Sequence, residues 1–545
     1  MTATDSIAAL RGAVEGAVRT LHESDPGEPR PTLERPPKTE LGDYSSNAAM
    51  LLARHLSDNP RTVAERLRDE LGTDAGLAPK LERIEVAGPG FVNFFLADSW
   101  YLQALGDLLE AEEELGPAPT PSPEKILVEF VSANPTGPLH VGGGRHAAYG
   151  DSLSRLLEAV GHEVEREYYV NDAGGQITRL ADSIAARMNG EEPPEDGYAG
   201  PYVADLAEQV AATGIDPSDR KRVGDRAIEL LLQEVQGTLA RFGVRFDTFF
   251  SERSLYETGE VEAALADLDA RGHTYRSEEA LWLRSTDFGD DKDRVLIRAN
   301  EEPTYLAADV AYHWDKLQRG FDRLIDVLGA DHHGYVARVR AAIEAMGADP
   351  ETFEALIMRL VNIIAAGERA RMSKRRGDFV TLDELVDAIG VDASRWYMLF
   401  RSHDTEVDLD VELASRQSSE NPVYYVQYAH ARIASILRKA GEEGAPAPRV
   451  PAERTPLQEG EKVLVKRLLE FPEEVRAAAE RRAPHRICAY STVVAADFHA
   501  FYRDCQVVGV EGEGVEASRL ALCLATKRTI AAALGLLGIS APERM

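Results

Sequence analysis

The spacing of apolar and polar residues divides the chain into regions of different secondary structure. Apolar residues three and four apart predict helices at 3–21 and 62–71, and alternation at 84–96 predicts two strands joined by a turn. An α/β pattern follows, in which helical segments separate apolar strands at 126–132, 164–171, 324–328 and 354–364. From about Ala393 onward the pattern is almost wholly helical.

These patterns predict three domains. Residues 1–115 form an N-terminal α+β domain, followed by a linker with four prolines in the eight residues 116–123. Residues 124–390 form an α/β domain, a Rossmann-like core with a parallel sheet and an insertion at about 180–300. Residues 391–545 form a C-terminal all-α helical bundle.

The segment with the clearest chemistry joins the first α/β strand to its helix. It reads Ala133-Asn-Pro-Thr-Gly-Pro-Leu-His-Val-Gly-Gly143 and leads into a helix predicted at 142–160. A helix N-terminus preceded by glycines presents N–H groups and the positive end of the helix dipole to an anion. Gly142–Gly144 allow close backbone approach, and His140 can donate a hydrogen bond to a phosphate oxygen. The segment therefore predicts a phosphate-binding site, although a turn with a structural histidine is the alternative.

A nucleotide-dependent oxidoreductase is a second interpretation of the same segment. Gly142-x-Gly144-x-x-Ala147 fits the dinucleotide fingerprint, with Glu163 and Glu165 about 20 residues further on. That fingerprint requires a tight strand-to-helix turn, whereas about nine residues separate Ser132 from Gly142. The acidic residue should end the second strand, but Glu163 precedes it, so this interpretation is less favoured.

A second basic segment lies far downstream. Residues 367–377 include Arg371-Met-Ser-Lys-Arg375, and Thr381-Leu-Asp-Glu384 is a capping box that predicts the start of the next helix. A basic loop alone is usually a solvated surface. Because this chain also has the glycine-rich segment at 133–143, Lys374 is suited to neutralise the pyrophosphate that ATP releases.

Charge sets this chain apart from most soluble proteins. Asp and Glu total 92 against 61 Lys and Arg, of which only 11 are Lys, and the net charge is −31. At about 1 M salt the Debye length is about 3 Å, which screens repulsion between distant charges. The composition predicts a halophilic source, and an acidic protein from a GC-rich mesophile is the alternative.

Targeting and redox signals are absent from the sequence. The longest clear apolar run, 530–539, has ten residues and predicts a buried helix, and no signal peptide precedes the first domain. Cys488, Cys505 and Cys523 lie far apart, which predicts neither a disulfide framework nor a zinc site. A cytoplasmic protein with no membrane partner is expected.

The two basic or glycine-rich segments resemble the signatures of class I aminoacyl-tRNA synthetases. Seven segments also resemble arginyl-tRNA synthetases in order: Gly42–Ala49, Gly88–Asn93, Val128–Gly142, Tyr168–Gly174, Leu328–Tyr335, Gln417–Arg432 and Ala541–Met545. The resemblance implies a ligase that activates L-arginine with Mg-ATP and transfers it to tRNA(Arg), without zinc and as a monomer. The N-terminal domain would contact tRNA, and the helical domain would bind the anticodon.

The resemblance also implies site residues. Those matching the ATP site are Pro135, Gly137, His140, Gly142, Gly143, His332, His333, Met372, Ser373 and Lys374, of which His140, Ser373 and Lys374 match catalytic positions. Those matching the arginine site are Glu129, Ser132, Asn134, Tyr305 and Asp309. Those matching tRNA contacts are Asn93, Phe95, Tyr425, Tyr428, Arg432 and Met545.

The implied roles agree with the chemistry of the side chains. Carboxylates bind a guanidinium in fork geometry, and Tyr305 and Asp309 are four residues apart on one helix face. Without the resemblance, a core tyrosine with a surface aspartate is the alternative. Aromatic and arginine side chains on one helix face suit base stacking, and a tyrosine-rich bundle core is the alternative there.

The sequence departs from the family pattern at both signatures. Gly143 stands where most relatives have a second histidine, and Arg371 stands in place of a lysine. Loss of one oxyanion-type donor typically costs about 10² to 10³ in rate. Three explanations are open for Gly143. The enzyme tolerates the loss of the histidine, His146 compensates for it, or the chain is a weakened paralogue that only binds tRNA.

Overall fold

The computed structural model describes residues 6–22, 31–111, 115–365, 368–369, 380–451 and 456–545. Met372, Ser373 and Lys374 lie outside these described residues.

An antiparallel sheet covered by helices forms the N-terminal region. Its elements are α1 (Ser6–His22), β1 (Leu33–Glu34), β2 (Tyr44–Ser46), α2 (Ala48–Leu56), α3 (Pro60–Thr73), β3 (Leu81–Ala87), β4 (Phe91–Leu96) and α4 (Asp98–Glu110). The strand order is β1-β2-β4-β3. Asn59 caps α3 by accepting from the Arg61 N–H, and Pro60 opens the helix, where a missing N–H costs nothing. The helices predicted at 3–21 and 62–71 and the strand pair within 84–96 are confirmed.

The α/β region contains most of the remaining strands. Up to residue 300 its elements are β5 (Lys125–Glu129), α5 (Val141–Ala159), β6 (Glu163–Val170), α6 (Gly175–Met188), α7 (Pro201–Ala211), α8 (Arg220–Arg241), β7 (Thr248–Ser251), α9 (Glu252–Glu257), α10 (Glu260–Ala270), β8 (Thr274–Ser277), β9 (Ala280–Leu283) and β10 (Arg294–Ile297). Beyond it follow α11 (Tyr305–Gln318), β11 (Arg323–Gly329), α12 (His333–Ala345), β12 (Phe353–Met358), β13 (Val361–Ala365), β14 (Glu368–Arg369), α13 (Leu382–Leu399), β15 (Val407–Asp410) and α14 (Val411–Ala414).

A five-stranded parallel sheet with the order β12-β11-β5-β6-β7 is the centre of this region. The middle strand β5 is apolar at Ile126, Leu127 and Val128, and none of the three has exposed surface, as expected for a parallel strand covered on both faces. The predicted parallel α/β core is confirmed. The first strand was predicted to run to Ser132, but it ends at Glu129 because Val131 and Ser132 adopt positive φ angles.

Residues 180–300, predicted to be an insertion, include three parts. Helices α6, α7 and α8 pack around a core of their own, with Leu180, Ile184 and Val203 fully buried. Strand β7 is the edge strand of the central sheet, and β10-β9-β8 form a separate antiparallel sheet. The exact domain boundaries stay a prediction.

The C-terminal region is a helical bundle, as predicted. Its elements are α15 (Pro422–Glu442), α16 (Glu459–Leu469), α17 (Phe471–Glu480), α18 (His485–Asp504) and α19 (Val515–Leu536). Before it, the prediction that the chain is almost wholly helical beyond Ala393 is wrong at β15, which pairs in parallel with β13. No helix in the described ranges is both long and apolar enough to cross a membrane.

Candidate active site and nucleic-acid interface

The carboxyl ends of β5 and β11 lie side by side in the middle of the central sheet. From β5 the chain proceeds to β6 on one side, and β11 occupies the other side, so the strand order reverses here. Crevices at such reversal points bind ligands in open α/β sheets. The loop after β5 carries Pro135, Gly137 and His140, and the turn after β11 carries the exposed His332. His333 begins α12, and its side chain lies outside the described part.

His140 is the N-cap of α5. Its Nδ1 accepts a hydrogen bond from the Gly142 N–H at 2.9 Å. In the neutral ring the proton is therefore on Nε2, which makes that atom a hydrogen-bond donor. The histidine predicted to contact phosphate thus also fixes the start of the helix whose dipole favours an anion.

Both ends of the basic segment that contains Lys374 are anchored near this helix. On one side β14 pairs with β13. On the other, the Val141 N–H donates to the Val380 carbonyl at 3.1 Å, and the Leu382 N–H donates to the Leu139 carbonyl at 2.8 Å. The predicted capping box of Thr381 and Glu384 is confirmed.

A buried network of charged side chains holds Glu129 at the end of β5. Glu129 Oε2 lies 2.6 Å from Lys316 Nζ, and Oε1 accepts from Ser132 Oγ at 2.8 Å. Lys316 also lies 3.0 Å from Asp326. Burial disfavours the charge on Lys316, but Asp326 and Glu129 outweigh it and raise the Lys316 pKa. Lys316 therefore stays protonated and offers a fixed positive charge to Glu129.

Two further carboxyl groups face the same space. Burial, reinforced by the charge of Glu129, raises the pKa of Asp309 to about 6. Burial also raises the pKa of Glu252 to about 7, and the charge of Asp309 adds to this. The hydroxyl of Tyr169 hydrogen-bonds Glu252, and that of Tyr335 hydrogen-bonds Asp309. Glu129, Asp309 and Glu252 thus form an acidic cluster, and carboxyl groups with raised pKa values suit a cationic ligand.

Sequence reasoning missed Glu252, which is 4% exposed and is the first residue of α9. The signal that could have found it is the run Thr248–Ser251, a short apolar strand followed by an acid. The run was not assigned to the central sheet because it lies within residues 180–300, which were interpreted as an insertion.

The predicted arginine-site residues differ in their placement. Ser132 hydrogen-bonds Glu129, and the charge of Glu129 acts on Asp309, so these three belong to the acidic cluster, whereas Asn134 is exposed on the loop that follows β5. Tyr305 is 68% exposed at the start of α11, and Asp309, one turn later, is partly covered. The alternative of a core tyrosine with a surface aspartate is therefore wrong.

The C-terminal bundle has an aromatic pocket between α15 and α18. Tyr425, Tyr428 and Arg432 line it from α15, as predicted from their spacing, and His499 and Tyr502 line it from α18. The Arg432 guanidinium lies 4.5 Å from the Tyr502 ring centroid. The Tyr425 and His499 rings are 4.9 Å apart. Sequence reasoning missed the two residues of α18 because they are remote in the chain.

The remaining predicted tRNA contacts lie elsewhere. Met545 is 53% exposed, at the end of a tail in which the Pro542 carbonyl lies 2.8 Å from His430 Nδ1 of α15. Asn93 is 3% exposed and accepts from Ser45 Oγ, and Phe95 is 8% exposed beneath the guanidinium of Arg83. The contact of Asn93 and Phe95 with tRNA stays a prediction, and both side chains as placed belong to the interior of the sheet.

Comparison with known proteins covers all three regions. Family models match the arginyl-tRNA synthetase N-terminal domain at residues 8–96, the class I (R) tRNA synthetase catalytic domain at 105–196 and 213–410, and the DALR anticodon-binding domain at 426–545. An arginine–tRNA ligase from Carboxydothermus hydrogenoformans is 44% identical over 529 residues, 94% of each chain. One from Shouchella clausii is 44% identical over 551 residues, 98% of each chain.

The chain belongs to the arginyl-tRNA synthetase family.

A solved structure agrees with this assignment. The arginyl-tRNA synthetase of Thermus thermophilus superposes with a TM-score of 0.76 at 27% identity, covering 98% of this chain and 99% of that one. The family resemblance and the fold class inferred from the sequence are thereby confirmed. The oxidoreductase interpretation and the weakened paralogue find no support in these comparisons.

The unusual Gly143 of this synthetase faces apolar neighbours. A Cβ built there would lie 2.6 Å from Leu139 Cδ1 and 3.8 Å from Val131 Cγ1. A histidine at this position therefore requires Leu139 to change rotamer. Half-buried His146 lies in the next turn of α5, and its compensating role stays a hypothesis. Unchanged turnover of the variant His146→Ala would refute that role.

Proposed function

We propose that this synthetase joins L-arginine to the terminal ribose of tRNA(Arg) in two steps at the carboxyl edge of its central sheet. ATP first activates the arginine carboxylate with release of diphosphate, and the arginyl group then moves to tRNA. The observation that carries the proposal is the acidic cluster of Glu129, Asp309 and Glu252 beside the glycine-rich N-terminus of α5. Carboxyl groups suit the guanidinium of arginine, and the N-terminus of α5 suits the phosphates of ATP, which supports binding of the two substrates side by side.

The proposed orientation of arginine rests on which element carries each carboxylate. Glu129 is four residues before the loop that begins at Ala133 and leads to α5, so it is suited to the α-ammonium group next to the reacting carboxylate. Asp309 and Glu252 come from α11 and α9, outside that loop, and are suited to the guanidinium. Lys316 and Ser132 occupy both oxygens of Glu129 and hold it in one orientation.

ATP, entering as its Mg²⁺ complex, is a substrate whose phosphates carry the charge to be stabilised. The N–H group of Gly143 and His140 Nε2 provide donors fixed in advance, and the Gly142 N–H holds the His140 ring in place. Ser373 and Lys374 are proposed to close over the diphosphate from the segment anchored at Val380. His332, in the turn after β11, and His333, which begins α12, are proposed to lie near the adenine end of ATP.

The aromatic pocket of the bundle is proposed to bind an anticodon base. Tyr428 is 40% exposed, and Arg432 lies over the ring of Tyr502, so flat aromatic faces and a cation are both available. Bases stack on such surfaces without needing a particular sequence. Met545 is proposed to contribute from the docked tail.

We further propose that the protein acts as a monomer in the cytoplasm. We also propose that this cytoplasm is rich in salt. The chain has 92 acidic and 61 basic residues, and the repulsion within this acidic excess is screened at high salt, which supports adaptation to salt. Thermal unfolding in KCl tests this: the midpoint should rise between about 0.1 and 2 M, and a midpoint that falls or stays constant would contradict salt adaptation.

Charging of tRNA tests the proposed reaction directly. Labelled arginine, ATP and tRNA(Arg) should give acid-precipitable arginyl-tRNA, whereas citrulline, which lacks the guanidinium charge, should not be transferred. Equal charging with citrulline would contradict recognition by Asp309 and Glu252, and no charging with arginine would contradict the activity itself.

A further inference from the structure

The loop between β5 and α5 begins with a strained backbone. Val131 and Ser132 have φ angles of +69° and +39°. A positive φ is a genuine outlier for a β-branched residue, and such backbone strain is unfavourable. It persists only where the surrounding structure holds the segment in place. The contacts that hold this loop therefore determine where its N–H groups and His140 are placed.

The sheet holds the first half of the loop. The Tyr169 N–H donates to Ser132 Oγ at 3.1 Å, and the Tyr168 hydroxyl donates to the Ala133 carbonyl at 2.9 Å. Both tyrosines belong to β6, next to β5 in the sheet, and Tyr168 has no exposed surface. This half of the loop is thus fixed to the rigid core.

The insertion contacts the second half of the loop, and Tyr202 makes a hydrogen bond to it. Tyr202, near the start of α7, donates its hydroxyl hydrogen to the Thr136 carbonyl at 2.8 Å. Its ring lies against Gly137, where a Cβ would be only 3.1 Å from Cζ. The same ring packs on the separate core of α6, α7 and α8, so it connects that core to the loop.

We propose that Tyr202 is a positioning residue through which the insertion sets the conformation of the ATP-binding loop. The inference rests on the proposed function, in which this loop and α5 bind ATP. Donors placed in advance stabilise phosphate charge without reorganisation during the reaction. Loss of the hydrogen bond from Tyr202 to the Thr136 carbonyl therefore weakens ATP binding. The carboxyl groups proposed to bind arginine come from β5, α9 and α11 and keep their positions.

The test separates the two substrates. Tyr202→Phe removes the hydroxyl and keeps the ring against Gly137. Tyr198→Phe is the matched control, because Tyr198 packs on the same insertion core and lines the same cavity beside the loop, but its hydroxyl makes no hydrogen bond to the described part of the loop. KM for ATP and KM for arginine are measured by arginine-dependent ATP–pyrophosphate exchange in the presence of tRNA, together with the melting temperature of each variant.

Tyr202→Phe should raise KM for ATP about three- to tenfold, the usual effect of one lost hydrogen bond, with KM for arginine within about twofold of wild type. Tyr202→Ala, which also removes the ring, should give a larger rise, and Tyr198→Phe none. An unchanged KM for ATP in Tyr202→Phe, or equal rises for both substrates, would overturn the positioning role. Failure of the wild-type protein to catalyse exchange would instead overturn the proposed function.

Discussion

Arginine binding should weaken steeply as pH falls from 8 to 6, because the pocket carboxyl groups become protonated. The pKa of Glu252 is raised to about 7 and that of Asp309 to about 6, mainly by burial. The arginine guanidinium stays charged in this range and favours the ionised carboxylates. Binding therefore releases protons, and affinity rises with pH until both groups are ionised in the free enzyme.

The size of the effect follows from the two pKa values. The ionised fraction of Glu252 falls from about nine-tenths at pH 8 to about one-tenth at pH 6, which raises the apparent Kd for arginine about tenfold. Asp309 is about half ionised at pH 6 and adds about a further factor of two. Together they predict a Kd about twentyfold higher at pH 6.

Isothermal titration calorimetry of arginine into the enzyme measures this dependence. At pH 7, where Glu252 is about half ionised, the apparent enthalpy should vary with the ionisation enthalpy of the buffer as about half a proton is released. Glu252→Gln should bind arginine more weakly at pH 8 and lose the tenfold component of the pH dependence. A Kd that is equal at pH 6 and pH 8 would refute the assignment of Glu252 to the arginine pocket.

Three further predictions concern other parts of the molecule. Lys374→Ala should slow adenylate formation in a single-turnover assay and leave the arginine Kd unchanged; a defect confined to arginine affinity would contradict its role. Tyr502→Ala should raise KM for tRNA in the charging assay about fivefold or more, since stacking of one base contributes about 1–3 kcal/mol; an unchanged KM would exclude base binding in that pocket. Asp151→Asn should lower the free energy of unfolding in urea by about 3–5 kcal/mol, because it leaves the buried Arg395 without its charged partner. The control Asp504→Asn, in an exposed pair, should not change the unfolding curve. Equal unfolding curves for the two variants would contradict this.

Local patterns predict the central sheet and its neighbouring helices well. Continuous apolar strands such as Ile126–Val128 can only be buried, and the capping box at Thr381 marks a helix start by its own hydrogen bonds. The break after Glu129 was not predictable in this way, because positive φ angles at Val131 and Ser132 contradict their own preferences. Those angles depend on Tyr168 and Tyr169, which are remote in sequence.

The site was predictable only where its residues stand in a recognisable segment. His140 and Lys374 lie in signatures, and Asp309 lies one turn from Tyr305 in a matching helix. Glu252 follows a four-residue edge strand whose pairing with β6 depends on the whole sheet. Lys316 has the pattern of an ordinary helix residue, and only the fold shows that it lies between Glu129 and Asp326.

Arginine-dependent ATP–pyrophosphate exchange at high KCl, with and without tRNA(Arg), tests the central claim most directly. The account predicts exchange that requires arginine and is stimulated by tRNA, which would show that a class I site with Gly143 in its first signature is active. Folded protein that binds tRNA but gives no exchange under either condition would contradict the account.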